Sequence, residues 1–424
     1  MQQIVLVLFV ALAYVALAAL SAMVAIAPTD AWTVWLASGV TLGVLLTTSR
    51  ARWPAVLTGA LIGAAAFALG LGSPWLEAAG YGVIEVVAGV AGAFFASRFM
   101  RLPARLELPR DLAALVIAGA LPLAIVGAVL ATAWHMVSGG TQAATTFVIW
   151  FLSNFVGALL TAPLLIAWAA FRAKRSGGLT LPAFAAGAVA GVLYVISMHL
   201  LFDDHFERLG GAGSIGLTYL PMVFMALTAL LWGVRGATLA AFLGAVIAIV
   251  NTAQQEGPFA DANGIVAEGE LQVQGYAVAL ALTGLLIAVL AASQRAAMRD
   301  ARDWRTRFET AIDAHRMLAY EWDPASGRMA ITGDTLHLLG VPASALATFA
   351  DWLGLVAPDD RDGVAARFDA RRDGQGAGDS LAYKVRGNSG NVVNLTDEAR
   401  AVRDHDGALH RVVGIVRIGA APAG

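Results

Sequence analysis

In this 424-residue chain the ionisable side chains suited to chemistry occupy only a few places. Glu85, in "YGVIEVVAGVAG", lies about ten residues inside an apolar run at 75–97. At that depth an ionisable group is costly and normally faces a bundle interior or water. Its carboxyl group suits a proton or ligand site, and equally a protonated acid bonded to a neighbouring helix. Asn154 and His199 are polar groups in two other apolar runs, where an interhelical hydrogen bond accounts for each. Asp203, Asp204 and His205 are adjacent, and a solvated loop explains them better than a metal site. Asp359, Asp360 and Asp362 crowd the start of an expected helix; carboxylates there cap free amides and complement the dipole. No P-loop, nucleophile elbow or metal-binding histidine pair occurs, so an enzyme is not expected. The absence of cysteine excludes disulfides, thiolate metal sites and cysteine nucleophiles.

The elements holding these residues follow from composition. The chain is 58% hydrophobic and 14% charged, against about a quarter charged in soluble proteins, so it is a membrane protein. Residues 1–293 hold 11 Lys/Arg and 12 Asp/Glu, whereas the last 131 hold 17 and 18, which sets a boundary near residue 294. Apolar runs near the ~20 residues a span needs lie at 4–27, 33–49, 53–73, 75–97, 111–134, 145–170, 181–202, 217–234, 236–253 and 271–293. The second, eighth and ninth are short, giving a polytopic α-helical bundle of 8–10 spans. Ten of the eleven Lys/Arg in residues 1–293 fall in alternate loops, and only Arg208 in the others; the positive-inside rule then makes both termini cytoplasmic. Met1-Gln2-Gln3 lacks a basic n-region, so the first run is read as a retained span. Asp30, Trp32, Trp35 and Glu77 sit near span ends as interfacial anchors. The pairs Gly39/Gly43, Gly59/Gly63 and Gly187/Gly191 predict close helix packing.

Several stretches of residues 1–293 carry a resemblance: "WLASGVTLGVLL", "RWPAVLTGALIGAAAF", Glu85 in its segment, "SNFVGALLTAPLLIAW", "YLPMVFMALTALLWGVRGA" and "EGPFA". In this order they resemble the first membrane-associated sensor (MASE) family, an integral-membrane input module of bacterial histidine kinases and cyclic-di-GMP enzymes. The resemblance implies a sensory role in the bacterial inner membrane, with a ligand the family leaves undefined. Members often carry an acidic residue where this chain has Asn154. The ligand-binding candidates are Glu85, Asn154, Trp35 and Phe259. In "GPFA", Pro258 and Phe259 form a rigid apolar element that either lines an outer pocket or plugs the loop against the bundle.

Residues 294–317 read as a signalling helix or linker, with Ala297, Ala301, Trp304, Phe308, Ala311 and His315 on a heptad seam. A parallel dimer through Ala301, Trp304, Phe308 and Ala311 or a helix packed on the next domain explains it. "DAHRM" lacks the surroundings of a phosphoacceptor histidine, so His315 is not assigned that role. Residues 318–418 alternate as strands around short helices: "LAYEWD" and "RMAIT", then three helices, then a meander of "SLAYKVR", "NVVNLTDEARAVR" and "LHRVVGIVRI". "WDPASGR", "LGVP", "WLGLVAPDDRDGV" and "RDHDGALHRVVGIVR" resemble the PAS fold, an α/β domain with an antiparallel sheet. Flavin–cysteine photochemistry is excluded, the sequence requires no cofactor, and His337 is the one placed candidate for a haem ligand. Residues 419–424 form a tail, and no cyclase or phosphodiesterase signature occurs. The expected output is therefore through a partner or an effector missing from the chain. The expected partners are membrane lipid, a second copy of the chain and a cytoplasmic kinase or cyclase, with no nucleic acid. A transporter or channel regulated by the PAS domain is the alternative.

Overall fold

The computed structural model describes residues 2–24, 32–169, 181–203, 219–260, 266–372, 380–387, 390, 392–406 and 409–419, without the side chains of 266–268. Asp30, Asp204, His205 and Arg208 lie outside the described residues. The chain divides into two compact units, Met1–Ala296 and Ala297–Gly424.

The first unit is helical: α1 (Gln2–Met23), α2 (Leu36–Thr47), α3 (Trp53–Gly70), α4 (Trp75–Ala96), α5 (Pro109–Val137), α6 (Ala143–Ala169), α7 (Leu181–Phe202), α8 (Leu220–Ala253) and α9 (Val266–Ala314). Among the described residues, eight helices are long and apolar enough to cross a bilayer. In hydrocarbon each backbone amide must bond within its own segment, and long helices meet that requirement.

One expected span takes another form, and two others are joined in one broken helix. The second, at 33–49, is helical only over the 12 residues of α2, about 18 Å and short of the ~30 Å hydrocarbon core. Every residue from Leu36 to Leu46 is buried, so α2 lies inside the bundle. The eighth and ninth are two legs of α8, broken at Gly233, where φ is 65° and ψ is −151°. A Cβ on Gly236 would lie 2.8 Å from the Thr228 carbonyl oxygen. Eight residues of straight helix would separate those positions by about 12 Å, so the chain turns back at Gly233.

Small residues set the packing distances. A Cβ at Gly39 would meet the Gly157 carbonyl oxygen at 2.7 Å, and one at Gly43 the Ala162 Cα at 3.1 Å, so α2 lies backbone-close to α6. A Cβ at Gly59 would lie 2.6 Å from the Val7 carbonyl oxygen and one at Gly63 3.0 Å from that of Ala11, so these glycines seat α3 on α1. Gly187 packs beneath the Trp232 indole, but nothing lies within 4 Å of a Cβ at Gly191. The expected packing pair there is one glycine, not two.

In the second unit five antiparallel strands, β1 (Met317–Trp322), β2 (Met329–Thr332), β3 (Ser380–Arg386), β4 (Val392–Arg403) and β5 (Leu409–Ile418), stand in the order β2-β1-β5-β4-β3. The helices α10 (Thr335–Leu339), α11 (Phe349–Leu355) and α12 (Arg361–Arg372) come between β2 and β3. Trp352, Phe368, Leu318 and Val416 are fully buried in the core. Here Arg371 Nη1 donates to Asp397 Oδ2 at 2.8 Å and to the Tyr320 hydroxyl at 2.8 Å. Burial pushes the Asp397 carboxyl up, against the opposing pull of Arg371. Tyr320 is raised well above the ordinary tyrosine range by burial and by Asp397. Tyr383, bonded to the Trp352 indole N–H at 3.0 Å, is also raised, chiefly by burial.

Candidate functional site

Within the first unit a cavity of about 900 Å³ falls inside the size range of small-molecule sites. Leu71 and Ser73, from the α3–α4 connection, and Gly139 to Gln142, from the α5–α6 connection, line it. It extends from that end of the bundle to Glu85, which stands ten residues into α4, about 15 Å along the helix.

Three helices, α1, α2 and α4, converge at the carboxylate. Glu85 is 6% exposed. Its Oε1 accepts from the Thr41 hydroxyl of α2 at 2.8 Å and its Oε2 from the Tyr14 hydroxyl of α1 at 3.2 Å. Tyr14 in turn accepts from the Trp35 indole N–H at 3.2 Å. The lining residues include no lysine or arginine, and His135 is the one histidine among them.

Trp35 is held by its backbone. Its amide donates to the Ser153 carbonyl at 2.9 Å. Ser38 Oγ lies 2.8 Å from the Trp35 carbonyl oxygen and 3.1 Å from that of Asn154. A Cβ at Gly157 would overlap the Trp35 carbonyl oxygen, so glycine is what lets α6 approach this turn. With the backbone fixed, the Trp35 ring packs against Trp32 at 5.5 Å, Phe67 at 5.6 Å and Tyr14 at 6.3 Å. Tyr81 stacks on Trp150 at 5.8 Å, and both line the same cavity.

Of the four expected ligand residues, the structure brings Glu85, Asn154 and Trp35 to one cavity and places Phe259 elsewhere. Phe259 packs on Phe202 and Tyr276 at 5.7 and 5.6 Å, as a plug rather than a pocket wall. The Asn154 amide donates to the Trp150 carbonyl of its own helix at 2.8 Å, because its β-carbon stands one turn from that acceptor; an interhelical bond was expected. His199 is exposed in the last turn of α7, where no buried partner is needed. Trp32 and Trp35 belong to the cavity and are more than interfacial anchors. Glu77 accepts from the Tyr81 hydroxyl at 3.0 Å. Tyr14, Thr41, Phe67, Tyr81, His135 and Trp150 escaped sequence reasoning. Tyr14 carried a signal, as the one polar tip between Ile4 and Leu20.

In the second unit, Trp304 is 67% exposed and stacks on Phe308 at 5.2 Å, while Ala301 and Ala311 are exposed on the same helix. Ile312 is buried beside Gly333, which takes φ 119°. His315 is exposed, with Nδ1 2.9 Å from the Ala311 carbonyl oxygen. His337 is a surface residue 2.9 Å from Asp334. Asp360 accepts from the Lys384 amide at 2.8 Å; it ties its helical turn to β3, where a helix cap was expected.

A helical membrane unit followed by this five-stranded α/β domain defines a multi-pass membrane protein of signal transduction. Residues 5–295 match the MASE1 family and residues 328–416 the PAS fold; the chain belongs to the MASE1 family. A catalytic domain is not among the domains found. No curated protein matches the chain significantly. One similar solved structure is the N-terminal domain of a diguanylate cyclase with PAS/PAC sensor from Marinobacter aquaeolei, at 20% identity and TM-score 0.23, covering 24% of this chain and 94% of that one. Another is a sensory box histidine kinase/response regulator from Burkholderia thailandensis, at 23% identity and TM-score 0.23, covering 26% and 83%.

Proposed function

We propose that this protein is a bacterial inner-membrane sensor in which occupancy of the α1–α4–α6 cavity is passed along α9 to the PAS domain. The observation that carries the reading is the order of parts: a MASE1 unit, a PAS domain, and one unbroken helix, Val266–Ala314, whose residues belong to both units. The proposed domains are an integral-membrane sensor at 1–293, a signalling segment at 294–317 and the PAS domain at 318–418. Both termini are cytoplasmic, so the cavity opens on the outer face; the arginines of the α2–α3 and α4–α5 connections support this orientation. Glu85, Asn154 and Trp35 bind the ligand. Output passes by contact to a kinase or cyclase.

The exposed Trp304 ring, stacked on half-buried Phe308, supports pairing of two copies through α9, since an exposed apolar face on a helix tends to be covered. The chain contains no cysteine, so single cysteines report without background. Cysteines introduced one at a time from 297 to 315, in membranes, are expected to cross-link between copies at 301, 304, 308 and 311 and not between them. Cross-linking without that period, or none at any position, overturns the signalling-helix reading.

A further inference from the structure

We infer that the cavity takes a small organic cation, an ammonium group carrying hydrogens or alkyl substituents. The inference rests on the sensory reading of the same cavity and names its ligand class. Charge is the first ground. Glu85 is buried, both its oxygens accept from neutral hydroxyls, and no lysine or arginine lines the cavity among the described residues. A buried carboxylate without a cation nearby is costly, and a positively charged ligand supplies the missing partner.

The walls give the second ground. Trp32, Trp35 and Phe67 form a ring cluster with centroids 5.5 to 6.2 Å apart. Aromatic faces attract a cation within about 6 Å, most strongly when it is desolvated. Third, the donors that bond the carboxylate or support it are engaged with one another or with backbone. The Thr41 and Tyr14 hydroxyls go to Glu85, the Trp35 indole N–H to Tyr14 and the Asn154 amide to Trp150. At that end a ligand meets a carboxylate and ring faces, which repel an anion and suit an ammonium group, beside the amide oxygen and second N–H of Asn154.

The test uses the full chain in nanodiscs of phosphatidylglycerol, whose headgroup has no ammonium, with tryptophan fluorescence and thermal transition as readouts. The probes are choline and its neutral carbon isostere, 3,3-dimethylbutanol. Choline is expected to bind at least about tenfold more tightly than the isostere. Glu85→Gln and Phe67→Leu are each expected to weaken choline binding by a similar factor. A retained thermal transition serves as the control for folding; if Glu85→Gln does not fold, Phe67→Leu decides.

A second arm adds phosphatidylethanolamine. If a lipid headgroup is the occupant, this lipid raises the thermal transition and blocks choline; if a free amine is, choline affinity stays unchanged. Equal binding of choline and the isostere overturns the proposal. So does indifference of binding to both substitutions, or a folded protein that responds to neither choline nor phosphatidylethanolamine. The cysteine cross-linking needs no ligand, so failure here leaves the signalling reading to stand or fall separately.

Discussion

Adding one methyl group at each of four glycines should destabilise the membrane unit in a fixed order: Gly157→Ala most, then Gly39→Ala, then Gly43→Ala, with Gly191→Ala neutral or better. At Gly157 the new Cβ overlaps the Trp35 carbonyl and stands 3.0 Å from the Leu36 amide nitrogen. Those are backbone atoms that cannot rotate aside, so α6 and the Trp35 turn must part. Overpacking costs about 1–3 kcal/mol, and the upper end applies here. Parting also loosens the Trp35–Ser153 bond and the Ser38 contact to Asn154, about 0.6 kcal/mol each in a membrane. Alanine's better helix propensity returns about 1 kcal/mol, leaving a net loss of about 3 kcal/mol. For a unit of this size that lowers the melting temperature by roughly 6 °C. A Cβ at Gly39 meets the Gly157 carbonyl oxygen at 2.7 Å and is nearly as severe, whereas at Gly43 the nearest atom, the Leu165 Cδ1 at 3.0 Å, is a side-chain end that yields and the nearest backbone atom, the Ala162 Cα, stands at 3.1 Å. Gly191 has nothing within 4 Å and isolates the propensity gain. The assay is thermal unfolding of the detergent-solubilised chain, read by size-exclusion fluorescence. A Gly157→Ala protein melting within about 2 °C of Gly191→Ala would refute the close α2–α6 approach.

Asp397→Leu strands the buried Arg371 and should destabilise the PAS unit by about 3–5 kcal/mol, whereas the double variant with Arg371→Met should recover most of that loss. Calorimetry of the four proteins gives the coupling, and additive single effects would show that the pair does not interact. Tyr320 and Tyr383 are raised in the folded protein, so the unfolded chain loses these protons first. The stability they contribute is complete below about pH 10 and declines as pH rises above it. Absorbance at alkaline pH should show both ionising only with unfolding; their titration in the folded protein near pH 10 would contradict this. Trp304→Glu places a charge on the exposed stack, and should abolish cross-linking at position 308 while leaving the PAS transition unchanged.

The gross fold was legible because membrane helices and alternating strands write their periods directly into sequence. The sheet appeared as strands because Leu318, Tyr320 and Trp322 alternate into one core, and Glu85 stood out because a charge in an apolar run has few explanations. What was hidden depends on contacts between residues far apart in the chain. Tyr14 and Glu85 are 71 residues apart and Thr41 and Glu85 44; no spacing rule joins them. The short α2 reads as a span by hydropathy alone, since a buried half-helix and a lipid-facing helix have the same composition. The reversal at Gly233 was legible, because Arg235 between two apolar runs marks a connection on the inner side.

The geometry also limits how a ligand acts on this unit. Trp35 cannot yield by its backbone, because Ser153 and Gly157 hold it from the α6 side and Ser38 from the first turn of α2. A ligand pressing on its ring therefore either turns the side chain, breaking the bond to Tyr14 and with it the support of Glu85, or moves α2 and α6 as one body. Close-packed interiors pass such displacements on and do not absorb them. The two routes are separable, since Trp35→Phe removes the bond to Tyr14 and keeps most of the ring. If side-chain rotation carries the signal, that variant should mimic the bound state without ligand. If the helices move together, it should bind more weakly and still respond in full, and α9 cysteine cross-linking with and without choline distinguishes these outcomes.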